Sequence, residues 1–192
     1  MQFLQKNSNS KILRQKLTYS AVKDREELRK TLLEEQKGFC AYTECFLRKI
    51  DTCDVEHFYP KSEYPEKEDD YFNLYAVLSW INDHKPKKIK PFLPILEPST
   101  PNIHQRIKYE DGFFVIVDKG DKEADNFIKF LGLNKIELYT DRQKHVQRIK
   151  NIKNLCGEDE EMFLQTLQSD KFNLSFITAL EVELNMNLNG LL

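Results

Sequence analysis

The chain has 192 residues, 29 of them Lys or Arg and 31 Asp or Glu, for a formal net charge of −2. With 40% hydrophobic and 31% charged residues, 13 Phe and 8 Tyr, it has the composition of a globular protein able to build a core, which excludes wholesale disorder. No apolar run approaches the ~18–20 residues of a bilayer-crossing helix, the opening MQFLQKNSNSKILRQK has no signal-peptide pattern, and the four Cys do not form a disulfide framework, so the expectation is a cytoplasmic protein without a membrane partner.

In chain order, AVKDREELRKTLLEEQKG places Val22, Leu28, Leu32 and Leu33 at helical spacing, with Gly38 as a left-handed stop. Residues 39–42 and 52–58 have the length of short strands, connected through 44–49. Residues 63–70 (EYPEKEDD) form an acidic loop, and 72–85 is predicted as a helix ending before Pro86. IKYEDGFFVIVDKG predicts a hairpin turning at Asp111-Gly112, with Phe113 and Phe114 serving core packing. A short helix over 123–131 stops at Gly132, a long amphipathic one covers 134–155, and helices over 162–167 and 174–185 close the chain. All seven prolines fall between Pro60 and Pro101, so proline-free ends flank a loop-rich middle. The pattern gives an α+β class dominated by helices.

Charge is uneven along this pattern. Residues 85–90 read KPKKIK, and 135–153 holds six basic side chains, Arg142 among them, expected on a solvent face. His104 and His145 are expected at the surface. From Glu158 onward seven acids oppose only Lys171, which is the wrong charge for DNA. The many apolar residues there fit either a docking surface for a larger protein or completion of the core.

The informative stretch is 54–85. Asp54-Val55-Glu56-His57 places a carboxylate beside an imidazole at a strand end, with His57 expected to aim at solvent. Asn73-Leu74 opens the predicted helix, Asn82 follows nine residues on, and Lys85 three beyond that. Nine residues is two and a half helical turns, so Asn73 and Asn82 cannot serve one ligand from a straight helix. A carboxylate and an amide oxygen are hard donors suited to Mg²⁺. A neutral His beside them can take a proton from water near neutral pH. Together they read as a site for phosphodiester hydrolysis, with Lys61, Lys85, Lys87, Lys88 and Lys90 near enough to meet flanking phosphates. Asp54 reads as outer support or a solvated strand residue, and His84 is a rival to Asn82 as ligand.

These residues resemble an HNH endonuclease of the ββα-metal fold. The pattern of acid plus His at a strand end, then Asn-Leu, then Asn nine residues on and a trailing Lys, appears as Glu56-His57, Asn73-Leu74, Asn82 and Lys85. The resemblance implies that His57 is the general base, that Glu56 and Asn82 bind Mg²⁺ or Mn²⁺, and that Asn73 orients the loop holding the His. It also implies an HNH core over 38–92. Residues 1–37 form a helical lead, 93–157 a β-hairpin with basic helices, and 158–192 the acidic amphipathic helices. EEQKGFCAYTE, VEHFYPKSEYP, YFNLY and FLGLNKIELYTDR are similar to the HNH proteins of retron and Septu anti-phage systems, which work beside an SMC/ABC-like ATPase. DNA is then the expected substrate; a catalytically idle subunit docking the ATPase, or a ribonuclease, is the alternative. Many HNH proteins hold a structural zinc with two CxxC pairs. Here Thr43 stands where the second Cys would fall, Cys45 is displaced, and Ser79 and Ile81 occupy the downstream places. No structural zinc is expected; Cys40, Cys45, Cys53 and Cys156 read as ordinary thiols, with Leu78, Trp80 and Ile81 as local apolar glue.

Overall fold

The computed structural model describes residues 3–192. Helix α1 (Lys11–Gln15) is capped by Ser10, whose hydroxyl accepts from the Ile12 N–H at 3.0 Å. Helix α2 (Arg25–Glu35) buries Leu28, Thr31 and Leu32 and gives way to Lys37 and Gly38, whose φ of +57° and +94° make the expected left-handed stop. The strand expected over 39–42 does not form. Only Phe39 pairs, in one bridge to Phe46, because the chain doubles back at Glu44, where φ is +62°.

Strand β1 (Cys53–His57) pairs antiparallel with β2 (Leu74–Leu78), Cys53 opposite Leu78 and His57 opposite Leu74, and α3 (Ser79–His84) follows at once. The expected helix over 72–85 is therefore half strand. Tyr75 and Val77 enter the main core, while Leu74 and Ala76 pack with Leu28, Leu32 and Tyr71. A strand covered on both faces loses the polar alternation that marks it, so LYAVL carries no pattern separating strand from helix. The predicted stop holds, since Lys85 turns extended immediately before Pro86.

The second hairpin forms as expected from β3 (Ile107–Glu110) and β4 (Phe113–Ile116). Asp111 and Gly112 have φ of +49° and +89°, the two-residue turn that suits the twist of paired strands. A Cβ at Gly112 would lie 2.5 Å from the Tyr139 ring, so glycine is required there. Phe114 is buried, whereas Phe113 stacks on Tyr139 at 4.7 Å on the surface. Helix α4 (Lys122–Leu131) ends at Gly132, and α5 (Ile136–Cys156), α6 (Glu160–Ser169) and α7 (Ile177–Leu184) complete an α+β fold with an additional β-hairpin. Among the described residues no helix is long and apolar enough to cross a membrane.

Two side chains expected on the solvent face of α5 are buried. Arg142 donates to the carbonyls of Leu133 (3.2 Å) and Gly112 (3.0 Å), tying the end of α4 and the turn of the second hairpin to α5. His145 packs edge-on against Phe172 and donates from Nε2 to the Asn173 carbonyl at 3.2 Å, while His104 is exposed as expected. Burial, with a smaller push from Arg148, lowers the His145 pKa to about 4. The unfolded chain then binds a proton that the folded chain refuses between pH ~6.5 and that value. The contribution of His145 to stability should be complete above pH ~6.5 and fall by about 3 kcal/mol as pH drops toward 4. Urea titrations across this range should show His145→Phe with a flatter profile; an unchanged slope would contradict the assignment.

The acidic C-terminal helices complete the core. Phe163, Leu167, Leu174, Phe176, Ile177 and Leu180 are buried within the main cluster. The Phe176 N–H donates to the Glu44 carbonyl, and the Glu44 carboxylate accepts from the N–H (3.0 Å) and hydroxyl (2.8 Å) of Thr178. Truncation after Gly157 should yield insoluble chain; a soluble product with a cooperative melt would show that these helices are dispensable.

Candidate active site

β1 is continued into its loop by Asn73. The Asn73 amide donates to the carbonyls of Tyr59 (3.1 Å) and Lys67 (3.0 Å), its side-chain oxygen accepts from the Tyr59 N–H (2.8 Å), and its carbonyl accepts from the Phe58 N–H (3.0 Å). Every polar atom of this buried side chain is thus spent on fastening the loop after His57 to the start of β2. Asn73 positions that loop, with both polar atoms of its side chain already engaged.

Alternation along β1 sends Glu56 and His57 to opposite faces, and at the strand end both still line one cleft. His57 is not aimed at solvent as expected: it is only 7% exposed, edge-on to Tyr19 at 4.5 Å, with Nε2 2.9 Å from the Glu68 carbonyl. A carbonyl can only accept, so Nε2 carries the proton and Nδ1 keeps its lone pair. Burial holds the imidazole pKa below its ordinary value, and Lys61 and Lys85 push the same way against the Glu68 hydrogen bond. The ring is a neutral, fixed proton acceptor.

Glu56 is ion-paired with Lys85, and both are buried. Lys85, 6% exposed, also donates to the carbonyls of His57 (3.0 Å) and Phe58 (3.3 Å) and lies over the Phe130 ring. The expectation that it meets flanking phosphates is corrected: its ammonium is consumed inside the protein, bracing the backbone that carries His57. Burial raises the Glu56 pKa and lowers that of Lys85, and each partner opposes the shift of the other.

Asn82, on α3, reaches the same cleft. Its amide nitrogen donates to Asp54 at 3.0 Å, and this bond leaves its side-chain oxygen available as a hard donor. Asp54, half-buried, fixes the orientation of the Asn82 side chain. His84 is turned away, stacked on Trp80 at 4.3 Å with Nδ1 2.7 Å from the Trp80 carbonyl. Asn73 sits on one side of the hairpin and Asn82 on the helix beyond, so their different roles follow from a strand between them rather than from helical phase.

The cleft measures about 290 Å³ and brings Glu56, His57, Asn82 and Lys85 together with Lys61 and Lys87. Lys61 pairs with Glu68 at 3.2 Å, and Lys87 donates to the Asn82 carbonyl at 2.8 Å. Lys88 and Lys90 are exposed on the following turn, outside the cleft lining. Among the described residues no three His, Cys, Asp or Glu side chains converge as a metal cluster. The donor set is one carboxylate and one amide oxygen, which fits a cation that keeps most of its waters, provided it shares Glu56 with the Lys85 ammonium. The four Cys are free thiols; Cys40 is buried and accepts from the Leu78 N–H at 3.3 Å, while Ile81 sits in the core with Leu78 and Trp80 packed against it. Tyr19 and the Glu68 carbonyl escaped sequence reasoning, because neither has a motif; only folding brings position 19 against position 57. No protein-family model matches this chain, and no curated protein matches it.

Proposed function

We propose that this chain is a metal-dependent endonuclease of the HNH kind that hydrolyses DNA phosphodiester bonds. The observation that carries the reading is the convergence, in one cleft on a strand–strand–helix unit, of a neutral His57 with a free Nδ1 and two hard oxygen donors, Glu56 and Asn82. In this reading Nδ1 of His57 takes the proton of the water that attacks phosphorus, while the bond from Nε2–H to the Glu68 carbonyl holds the ring as charge develops. Glu56 and Asn82 would hold Mg²⁺ or Mn²⁺, which would supply charge stabilisation at the scissile phosphate. Asp54 keeps the Asn82 oxygen in place, Asn73 and Lys85 hold the backbone around His57, and Lys61 and Lys87 meet neighbouring phosphates. The likeness of EEQKGFCAYTE, YFNLY and FLGLNKIELYTDR to anti-phage HNH proteins extends the proposal to a defence effector acting with an SMC/ABC-like ATPase.

The test is incubation of the purified chain, alone and with an SMC/ABC-like ATPase, with plasmid and with RNA in Mg²⁺, Mn²⁺ or chelator. Plasmid nicking that requires metal is expected. Cleavage of RNA alone would overturn the substrate, and no cleavage under any condition would favour an idle docking subunit.

A further inference from the structure

Two adjoining hollows run away from the cleft along β1. The cleft shares Tyr19 and Val55 with a hollow of about 410 Å³, which shares Arg29, Cys53 and Asp54 with one of about 910 Å³ that reaches Lys49 and Ile50. They follow the edge of β1 that lacks a partner strand, where Arg29 on α2 approaches the Cys53 carbonyl at 3.5 Å. Among the described residues Arg25, Arg29 and Lys49 are exposed and form no ion pair, while Asp51 is paired with Arg48 and Asp54 keeps its charge under a hydrogen bond from the neutral Asn82 amide. Glu26, Asp54 and Asp83 remain as opposing charges, so the lining holds five cations (Arg25, Arg29, Lys30, Arg48 and Lys49) against four acids. The cations therefore continue the line begun by Lys61 and Lys87, on a chain whose net charge is −2. A line of exposed cations continuous with the cleft gives a polyanion one track of contacts on an otherwise acidic protein. Ile50, 82% exposed, adds an apolar contact at the far end. A five-residue strand spans ~17 Å, about five ~3.4 Å rises of B-form DNA.

We infer that this groove carries the nucleic-acid strand leading away from the scissile phosphate, its phosphates following β1 from His57 to Lys49. The inference rests on the nuclease reading and adds a substrate track that extends beyond the His57 cleft along β1. An acidic peptide is the other polyanion that an open strand edge beside cations could take. The continuity of the groove with the His57 cleft favours the phosphodiester chain.

The experiment is fluorescence anisotropy of the full chain carrying His57→Gln, with labelled single-stranded and duplex DNA 20-mers and an oligoglutamate peptide, from 50 to 200 mM salt. Arg29→Ala/Lys49→Ala should bind at least one DNA probe about tenfold more weakly, with a log–log salt slope shallower by about one per removed cation. The surface control Lys108→Ala/Lys119→Ala should match the parent. Whichever DNA probe responds identifies the form of the strand. Unchanged affinity and slope in the groove variant, binding of neither DNA by the parent, or tighter binding of the peptide than of DNA would each overturn the inference. Because the readout is binding without chemistry, groove-dependent DNA binding beside an inactive wild-type chain would sink the nuclease reading and leave the track standing.

Discussion

His57→Gln is expected to reduce phosphodiester cleavage by about 10²–10⁴-fold while leaving the fold intact. Gln is the informative replacement because its amide nitrogen can occupy the place of Nε2 and keep the bond to the Glu68 carbonyl, which His57 makes at 2.9 Å. It has no group that can accept a proton from water near neutral pH. Alanine would confound the result, since His57 is buried against Tyr19 and its removal opens a gap and releases the 58–68 loop together. Thermal melts and plasmid nicking on the same preparation separate chemistry from folding. Nicking at the wild-type rate by folded His57→Gln would remove the general-base assignment.

Lys85→Met is expected to be the most destabilising single change at the site. It leaves the Glu56 carboxylate buried without its counter-charge and strips donors from the His57 and Phe58 carbonyls. Breaking a buried pair from one side costs about 3–5 kcal/mol, mostly as the penalty of the orphaned charge. Glu56→Gln added to Lys85→Met should recover much of that loss, because the charge to be solvated is gone. Urea unfolding of the two single variants and the double completes the cycle. A second readout links the pair to the proposed metal: a cation on Glu56 replaces the missing ammonium, so Mn²⁺ should raise the stability of Lys85→Met more than that of wild type. Lys85→Met as stable as the parent, or indifferent to Mn²⁺ and chelator alike, would contradict the pair and the ligand role in turn.

Much of this fold could be read along the chain because the deciding forces are local. Gly38 and Gly132 end their helices at positive φ, Asp111-Gly112 turns the second hairpin, and Pro86 bars α3 from continuing. Each is a short-range restriction on backbone angles, visible in a few residues. The candidate site was legible for a similar reason: DVEH, Asn73, Asn82 and Lys85 have chemistry and spacing that survive without knowledge of their neighbours.

What escaped the chain depends on which surfaces meet. LYAVL became a strand because α2 and the main core cover its two faces, and a segment buried on both sides has no period to display. Arg142 and His145 lie on a helix whose surroundings close over them, so their polarity predicted solvent where packing supplied carbonyl partners. Lys85 reads as a phosphate ligand in sequence and becomes an internal brace 28 residues from the carbonyl it holds. Tyr19 and Glu68 reach His57 from positions with no motif of their own. Backbone angles and side-chain chemistry are properties of the residue, whereas burial and partnership belong to the pair of surfaces, and only the folded chain brings those surfaces together.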